Sequence, residues 1–284
     1  MDPLLLELQS IAEAFVAARC AARPLAAFPG EVPKTLADAY RVQDLAIALG
    51  GRQVRGWKVA MIRPDLRADL GAERIVGPIF ADARHELPSG GHAAVAVFEG
   101  GSSALEAEFV ARFARDLEPH GAGFTAEDVL EALASLHAGI EVLSSPLAAL
   151  GDLGPIAVVC DHCTNAGAVV GPEMPDWRSL PLTALRSRMV IDGVTAGEGS
   201  AASVPGGPVG ALLFLARHLA TRGRHLAAGD VVLTGASTGI HTVRPGVHAR
   251  IEFVGVPACD VEVVAFRRSE RCGASRRTPA AGAT

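Results

Sequence analysis

The chain has 284 residues, 49% of them hydrophobic and 20% charged, a composition typical of a globular protein with a substantial core. The formal net charge of −5 gives no reason to expect nucleic acid or an anionic membrane surface as a partner. No apolar run approaches the roughly 20 residues that span a bilayer, the acidic start does not fit a signal peptide, and five irregularly spaced cysteines indicate reduced thiols in a cytoplasmic protein.

The first 80 residues predict a small helical N-terminal part. The run PLLLELQSIAEAFVAARCAA places its apolar residues close to one helical face. The run TLADAYRVQDLAIALGG begins with Thr35 as a helix N-cap and ends in a glycine pair. RPDLRADLG predicts a third, short helix with Pro64 in its first turn.

Strands dominate the remainder of the pattern. Short runs rich in Val, Phe or Trp predict strands in GWKVAMI, AAVAVFE, ALEAEFVARF, IEVLSS, AGDVVLTGAS, HARIEFVG and DVEVVAF. RSRMVIDGVTAGEG predicts a hairpin that turns at Asp192–Gly193. Two helices are predicted among them, one over 125–139 with Thr125 as its cap and one in PVGALLFLARHLATRG.

These elements do not alternate regularly between strand and helix, which argues against a doubly wound fold. The prediction is an α+β protein with a helical part over 1–80 and a mixed, largely antiparallel β domain over 81–268. The remaining segment, 269–284, is polar, small and patternless, and is predicted to be a disordered tail.

Two glutamates stand in the apolar run ALEAEFVARF. In a strand, residues i and i+2 point the same way, so Glu106 and Glu108 share a face. Two carboxylates held close and dry repel each other unless a cation lies between them, and Mg²⁺ prefers oxygen ligands. Glu141, in AGIEVLSS, offers a third ligand. The alternative is a half-exposed strand with its glutamates in solvent, which is commoner for an arbitrary E-x-E.

LEAEFV followed by AGIEVLSS resembles the metal-binding signature of the 2-hydroxypentadienoate (2-oxo-4-pentenoate) hydratases and 4-oxalocrotonate decarboxylases of the fumarylacetoacetate hydrolase superfamily. Further stretches agree with that family in order and spacing: AYRVQ, GWKVAM, IFADA, CDHCTNAGAVVG, GPVGALLFLARHLATRG and AGDVVLTGAS. The resemblance therefore extends from about Ala39 to Phe266 and covers nearly all of the predicted folded part.

The resemblance implies a β-roll core, a homo-oligomer, and Mg²⁺ or Mn²⁺ held by Glu106, Glu108 and Glu141. It implies that Lys58 is the active-site lysine and that Asp82 lies near the substrate. The residues around Lys58 are apolar, so a partly desolvated ammonium would suit a proton shuttle or a clamp on a carboxylate. The alternative for Lys58 is a lysine on an edge strand that reaches out to solvent.

Other polar residues are candidates for substrate contacts. CDHC invites a zinc interpretation, but a zinc site needs four ligands and no second pair follows at a suitable spacing. The resemblance instead places Asp161, His162 and Thr164 in the pocket lining, with His162 replacing an asparagine and offering an extra proton donor. Thr234 and Ser237, in LTGAS, either contact substrate or form a simple turn.

The function implied by the resemblance is hydration of a 2-hydroxy-2,4-dienoate in aromatic catabolism. Metal-dependent decarboxylation of a 2-oxo-3-enedioate is the nearest alternative, and Arg63, where the family often has a Thr-Ser-like pair, would hold the second carboxylate at the pocket rim. C–C hydrolysis of an acylpyruvate is disfavoured because no H-x-x-E motif occurs in the chain. A non-catalytic family member that binds small acids is the last alternative.

Overall fold

The computed structural model describes residues 2–119 and 123–268, and these form an α+β fold. The helices are α1 (Pro3–Ala21), α2 (Leu36–Gly50), α3 (Pro64–Leu70), α4 (Ala126–Ala132), α5 (Pro155–Cys160) and α6 (Gly207–Thr221). The strands are β1 (Val54–Met61), β2 (Arg74–Phe80), β3 (Arg84–Glu86), β4 (Gly91–Val97), β5 (Ser102–Phe113), β6 (Leu133–Ser145), β7 (Asn165–Glu173), β8 (Arg186–Ile191), β9 (Val194–Ser200), β10 (Val231–Ala236), β11 (His241–Thr242), β12 (His248–Phe253) and β13 (Cys259–Ala265).

The strands form two mixed sheets. The larger sheet has the order β2-β1-β10-β5-β6-β7-β3, with β11 beside β5, and the smaller has the order β4-β13-β12-β8-β9. Within the described chain, the β1–β10, β4–β13 and β3–β7 pairs are parallel and the other pairs are antiparallel. The predicted mixed, largely antiparallel sheet structure is therefore confirmed.

The core lies between the two sheets and under the N-terminal helices. Phe109 of β5 meets Phe253 of β12 edge to face, with ring centroids 5.1 Å apart, and joins the larger sheet to the smaller. On the other side, α1 packs against α2 and α2 packs against α5. Helix α1 also reaches the larger sheet, because Arg19 donates to the carbonyls of Ser144 in β6 and Asn165 in β7.

Local sequence signals account for most element ends. The Thr35 hydroxyl accepts the Asp38 N–H at the start of α2, and Gly51 ends that helix with a φ of 60°. The predicted hairpin is confirmed as β8 and β9, with positive φ at both Asp192 and Gly193. Strand β1 corresponds to the strand predicted in GWKVAMI, whereas β2 was not predicted, and both belong to the larger sheet.

The helix predicted over 125–139 is wrong beyond Ala132. Thr125 does cap a helix, but the chain then becomes extended, and Leu133–Ser145 forms β6. Strand β6 pairs with β5 on one side and β7 on the other, so sheet hydrogen bonds outweigh the local helical spacing.

The tail predicted over 269–284 lies outside the described residues. No helix of the described chain is both long and apolar enough to cross a membrane.

Candidate metal centre

Three glutamates meet where β5 pairs with β6. Glu106 stands directly opposite Glu141 in the antiparallel register, and Glu108 stands opposite Gly139. One carboxylate oxygen from each glutamate lies within 4.8 Å of the other two. Glu108 and Glu141 are fully buried and Glu106 is 6% exposed. Glu106 and Glu108, predicted to share one face of a strand, therefore lie in the interior. The third glutamate, Glu141, comes from the neighbouring strand.

The triad fits a divalent cation. Glu108 Oε2 accepts the Gly235 N–H at 2.7 Å, and Glu141 Oε1 accepts the Asn165 amide N–H at 2.9 Å. The other two oxygens, Glu108 Oε1 and Glu141 Oε2, are buried and find no hydrogen-bond partner among the described residues. A buried carboxylate oxygen left without a partner is costly. An oxygen-only set of this kind suits a hard ion such as Mg²⁺ or Mn²⁺.

The electrostatics of the triad support the same assignment. Burial, together with the neighbouring Glu141, raises the pKa of Glu106 to about 7. Burial, with Glu141 and Glu106 adding to it, raises the pKa of Glu108 well above its ordinary value. Protons therefore relieve the repulsion when no cation is present, and a bound divalent ion would displace them.

Lys58 supplies a cation at the edge of the triad. Strand β1 lies between β2 and β10, and the Lys58 side chain is buried with its Nζ 3.2 Å from Glu141 Oε1. Burial alone would lower the pKa of Lys58, but the carboxylates of Glu141 and Glu106 raise it above its ordinary value in total. The alternative of a solvent-reaching lysine on an edge strand is wrong, because β1 is an interior strand.

A strained turn lies beside the triad. Asp161 is fully buried, and both of its carboxylate oxygens accept hydrogen bonds from the Arg19 guanidinium of α1. The next residues, 162–164, have φ values of 54°, 53° and 61°, and each left-handed non-glycine residue costs about 1–2 kcal/mol. Asn165 follows at once and donates to Glu141, so the end of this turn contacts a candidate metal ligand.

His162 and Asp82 line one cavity of about 550 Å³ between the N-terminal helices and the sheet. His162 is buried, its ring meets the Phe80 ring edge to face, and its Nδ1 has no hydrogen-bond partner in residues 2–119 and 123–268. Burial, with the charges of Arg19 and Arg52, holds the pKa of His162 well below its ordinary value. Asp82 accepts from Arg52 Nη2 at 2.6 Å, and Arg52 lines the same cavity.

The other predicted residues occupy different surroundings. Thr234 Oγ1 donates to the Phe109 carbonyl at 2.8 Å and Ser237 Oγ to the Ala107 carbonyl at 2.7 Å, so they hold β10 and the residue after it against the strand that carries Glu106 and Glu108. Thr164 Oγ1 donates to the Cys163 carbonyl. Arg63 lies on the surface, with its side chain 75% exposed and paired with Asp65.

The CDHC motif does not gather ligands for zinc. Cys160 Sγ donates to the Ile156 carbonyl and Cys163 Sγ to the Val76 carbonyl, so the two thiols serve different backbone groups. Burial raises the pKa of each thiol to about 12, which disfavours the thiolate that zinc requires.

Sequence reasoning missed Arg19, Arg52 and Asn165. Asn165 stood within the CDHCTNAGAVVG stretch that carried the resemblance, and its amide was the available signal. Arg19 was an isolated basic residue in an apolar helix, and Arg52 followed a glycine pair. Neither pattern identifies a partner, because Asp161 and Asp82 lie far along the chain from them.

Comparison with known proteins links the sequence of the chain to a family. The model of the fumarylacetoacetate (FAA) hydrolase C-terminal domain matches residues 87–264, more than half of the chain. The chain belongs to the fumarylacetoacetate hydrolase family. The match contains the three glutamates and the strained turn, whereas Lys58, Asp82 and Arg19 precede it.

Relatives within the fumarylacetoacetate hydrolase family include two kinds of enzyme. The chain is 30% identical over 203 residues to a 2-keto-4-pentenoate hydratase of Burkholderia vietnamiensis, covering 70% of this chain and 74% of that protein. It is 28% identical over 226 residues to a 4-oxalocrotonate decarboxylase of Pseudomonas sp. (strain CF600), covering 78% and 83%.

Among solved structures, the 4-oxalocrotonate decarboxylase of Pseudomonas putida G7, complexed with magnesium and adipate, superposes with a TM-score of 0.74 at 24% identity. That superposition covers 91% of this chain and 98% of the decarboxylase chain. At this identity the likeness shows the fold, which agrees with the predicted family architecture.

Proposed function

We propose that the chain is a metal-dependent hydratase that converts a 2-hydroxy-2,4-dienoate into a 4-hydroxy-2-oxo acid. The observation that carries this proposal is the buried triad, with two unpartnered carboxylate oxygens, beside the Lys58 ammonium. Glu106, Glu108 and Glu141 would hold Mg²⁺ or Mn²⁺, and the bound ion would act as a Lewis acid on the oxygens of the substrate's 2-oxygenated acid end.

Lys58 stabilises the negative charge of the substrate in this scheme. Its ammonium lies 3.2 Å from Glu141 Oε1, where it can serve as a fixed cation for a substrate oxygen. Because it is buried 3.2 Å from Glu141, its charge acts in a site with little competing water. This position suits the C1 carboxylate or the C2 oxygen of the substrate, where charge develops.

Asp82 and His162 are the residues proposed to move protons. The dienol must lose its hydroxyl proton and gain one at the far carbon to become a conjugated 2-oxo acid, to which water then adds. Arg52 orients the Asp82 carboxylate, and the lowered pKa of His162 leaves it neutral, with one N–H and one acceptor nitrogen. We propose that Asp161 and Thr164 shape the turn that carries His162, and that Thr234 and Ser237 support the strand of Glu106 and Glu108.

Decarboxylation of a 2-oxo-3-enedioate is the second candidate. The named 4-oxalocrotonate decarboxylases among the relatives support it, and the cavity of His162 is lined by Arg52, whose guanidinium is paired with Asp82. Arg63, which the sequence suggested for the second carboxylate, lies on the surface, so Arg52 is the better candidate for that contact.

Mass spectrometry of products from a panel of dienoates and enedioates tests the proposal. Hydration adds the mass of one water, decarboxylation removes that of one CO₂, and EDTA should abolish either reaction until Mg²⁺ is restored. A metal-loaded protein that converts no member of the panel would contradict both candidates and favour a binder of small acids.

We further propose a cytoplasmic homo-oligomer with a role in aromatic catabolism, and light scattering after size exclusion would test its assembly.

A further inference from the structure

We infer that Arg19, on the N-terminal helix α1, is a positioning residue for Glu141 and acts through the turn over 161–165. This inference rests on the proposed role of Glu141 as a metal ligand. The Arg19 guanidinium binds the turn at both ends: it donates to the Asp161 carboxylate and carbonyl, and Nη1 donates to the Asn165 carbonyl at 3.2 Å. Its Nη2 also donates to the Ser144 carbonyl of β6 at 3.1 Å.

The turn needs such a clamp because its backbone is strained. The three residues between the clamped ends, 162–164, are all left-handed and none is glycine. The turn also lies tightly against β2: a Cβ added to Gly77 would stand 2.2 Å from the His162 carbonyl oxygen. Residues in this conformation persist only where their surroundings hold them, and the buried Arg19–Asp161 pair provides that hold.

The end of the turn determines how Glu141 faces the site. Asn165 donates to Glu141 Oε1 at 2.9 Å, and the Lys58 ammonium lies 3.2 Å from the same oxygen. Oε2 is the oxygen of Glu141 left for an ion. If the turn relaxes, Asn165 withdraws and the Glu141 carboxylate loses one of the two groups that fix its rotation, so that Lys58 alone remains. A ligand oriented less well binds its metal less tightly.

The competing explanation is that Arg19 only fastens α1 to the rest of the fold. A double-mutant cycle on Mn²⁺ affinity separates the two explanations, because residues that act through one another show non-additive effects. The full chain would be prepared as wild type, R19Q, N165A and the double variant, and bound Mn²⁺ measured by electron paramagnetic resonance. R224Q is the control, since Arg224 is an ion-paired arginine that bonds to Asp44 of α2.

We expect R19Q and N165A each to weaken Mn²⁺ binding by about tenfold, and the double variant to bind no worse than the weaker single variant. R224Q should bind as the wild type does. Wild-type affinity in R19Q, or losses that multiply in the double variant, would overturn the inference. If R19Q does not fold, R19K replaces it in the cycle, because lysine keeps the charge but cannot reach both ends of the turn.

The outcome is independent of the proposed reaction. A wild type that binds Mn²⁺ but converts no dienoate or enedioate would defeat the proposed function and leave the cycle interpretable. If the wild type is active but the effects of R19Q and N165A on Mn²⁺ affinity are additive, only the positioning role of Arg19 is contradicted.

Discussion

Replacing Glu108 with glutamine should stabilise the metal-free protein while abolishing its response to metal. Glu108 is fully buried, and Oε2 accepts the Gly235 N–H at 2.7 Å. Glutamine has the same shape, and its amide oxygen can keep that hydrogen bond. The substitution therefore removes a charge from the triad with little change in packing.

The magnitude follows from the separations within the triad. One Glu108 oxygen lies within 4.8 Å of an oxygen of Glu106 and of one of Glu141. At an effective dielectric constant of about 20, each such pair of full charges repels by about 3.5 kcal/mol. Shared protons already relieve part of this repulsion, and the variant also loses attraction to Lys58, so we expect a net gain of about 1–3 kcal/mol at pH 8.

The gain should depend on pH with a defined sign. The pKa of Glu106 is about 7 in the folded protein, above the ordinary value of 4.5. Between these values the folded state binds the extra proton, so wild-type stability without metal falls as pH rises from 4.5 to about 7. The advantage of E108Q should therefore grow across this window, as the wild-type carboxylates lose their protons.

Thermal unfolding in EDTA and in Mg²⁺ measures both effects. E108Q should melt above the wild type in EDTA, whereas Mg²⁺ at one hundred times its Kd should stabilise only the wild type, by about 2.7 kcal/mol. D230N is a matched control, because Asp230 is also a buried carboxylate that accepts a backbone N–H, that of Ala227. The difference in melting temperature between D230N and the wild type should have the same sign in EDTA and in Mg²⁺. An E108Q variant less stable than wild type in EDTA would refute the reasoning.

Four further outcomes are expected. K58M should lower kcat by about 10²–10³-fold, because the substrate loses a fixed cation where its charge develops. It should not weaken Mn²⁺ binding, since the lost ammonium lies 3.2 Å from a metal ligand and competes with the ion; weaker binding in a titration would count against this role. D82N should lower turnover with unchanged Mn²⁺ affinity, and a parallel loss of affinity would place Asp82 in the metal site instead. Burial lowers the pKa of His218 from 6.5 to about 4, so the unfolded state takes up the proton first and stability falls as pH drops from 6.5 to 4. H218F should flatten this pH dependence of the unfolding free energy in urea, and an unchanged dependence would contradict the role of His218. G77A should destabilise the fold by about 1–3 kcal/mol, because its Cβ would overlap the His162 carbonyl, and a wild-type melting temperature would show that the turn yields freely.

Patterns of short range predicted much of this protein. Alternation along ALEAEFVARF was enough to place Glu106 and Glu108 on one face, because side chains in a strand repeat every second residue. Thr35 and the Asp192–Gly193 pair marked a helix start and a hairpin because their side chains or φ preferences act within a few residues. The same locality misled the prediction over 125–139, where spacing compatible with a helix ends in a strand that is held on both sides by its neighbours.

The sequence by itself determined that two acidic side chains would point together from an apolar strand, and which family's motifs the chain carries. The tertiary structure alone decided that Glu141 stands opposite Glu106, that Arg63 lies on the surface, and that Arg19 reaches Asp161 across 142 positions of sequence. The physical reason is that a repeat along the chain fixes only which face a side chain takes. Register between strands and contacts between distant segments depend on the packing and hydrogen bonding of the whole fold.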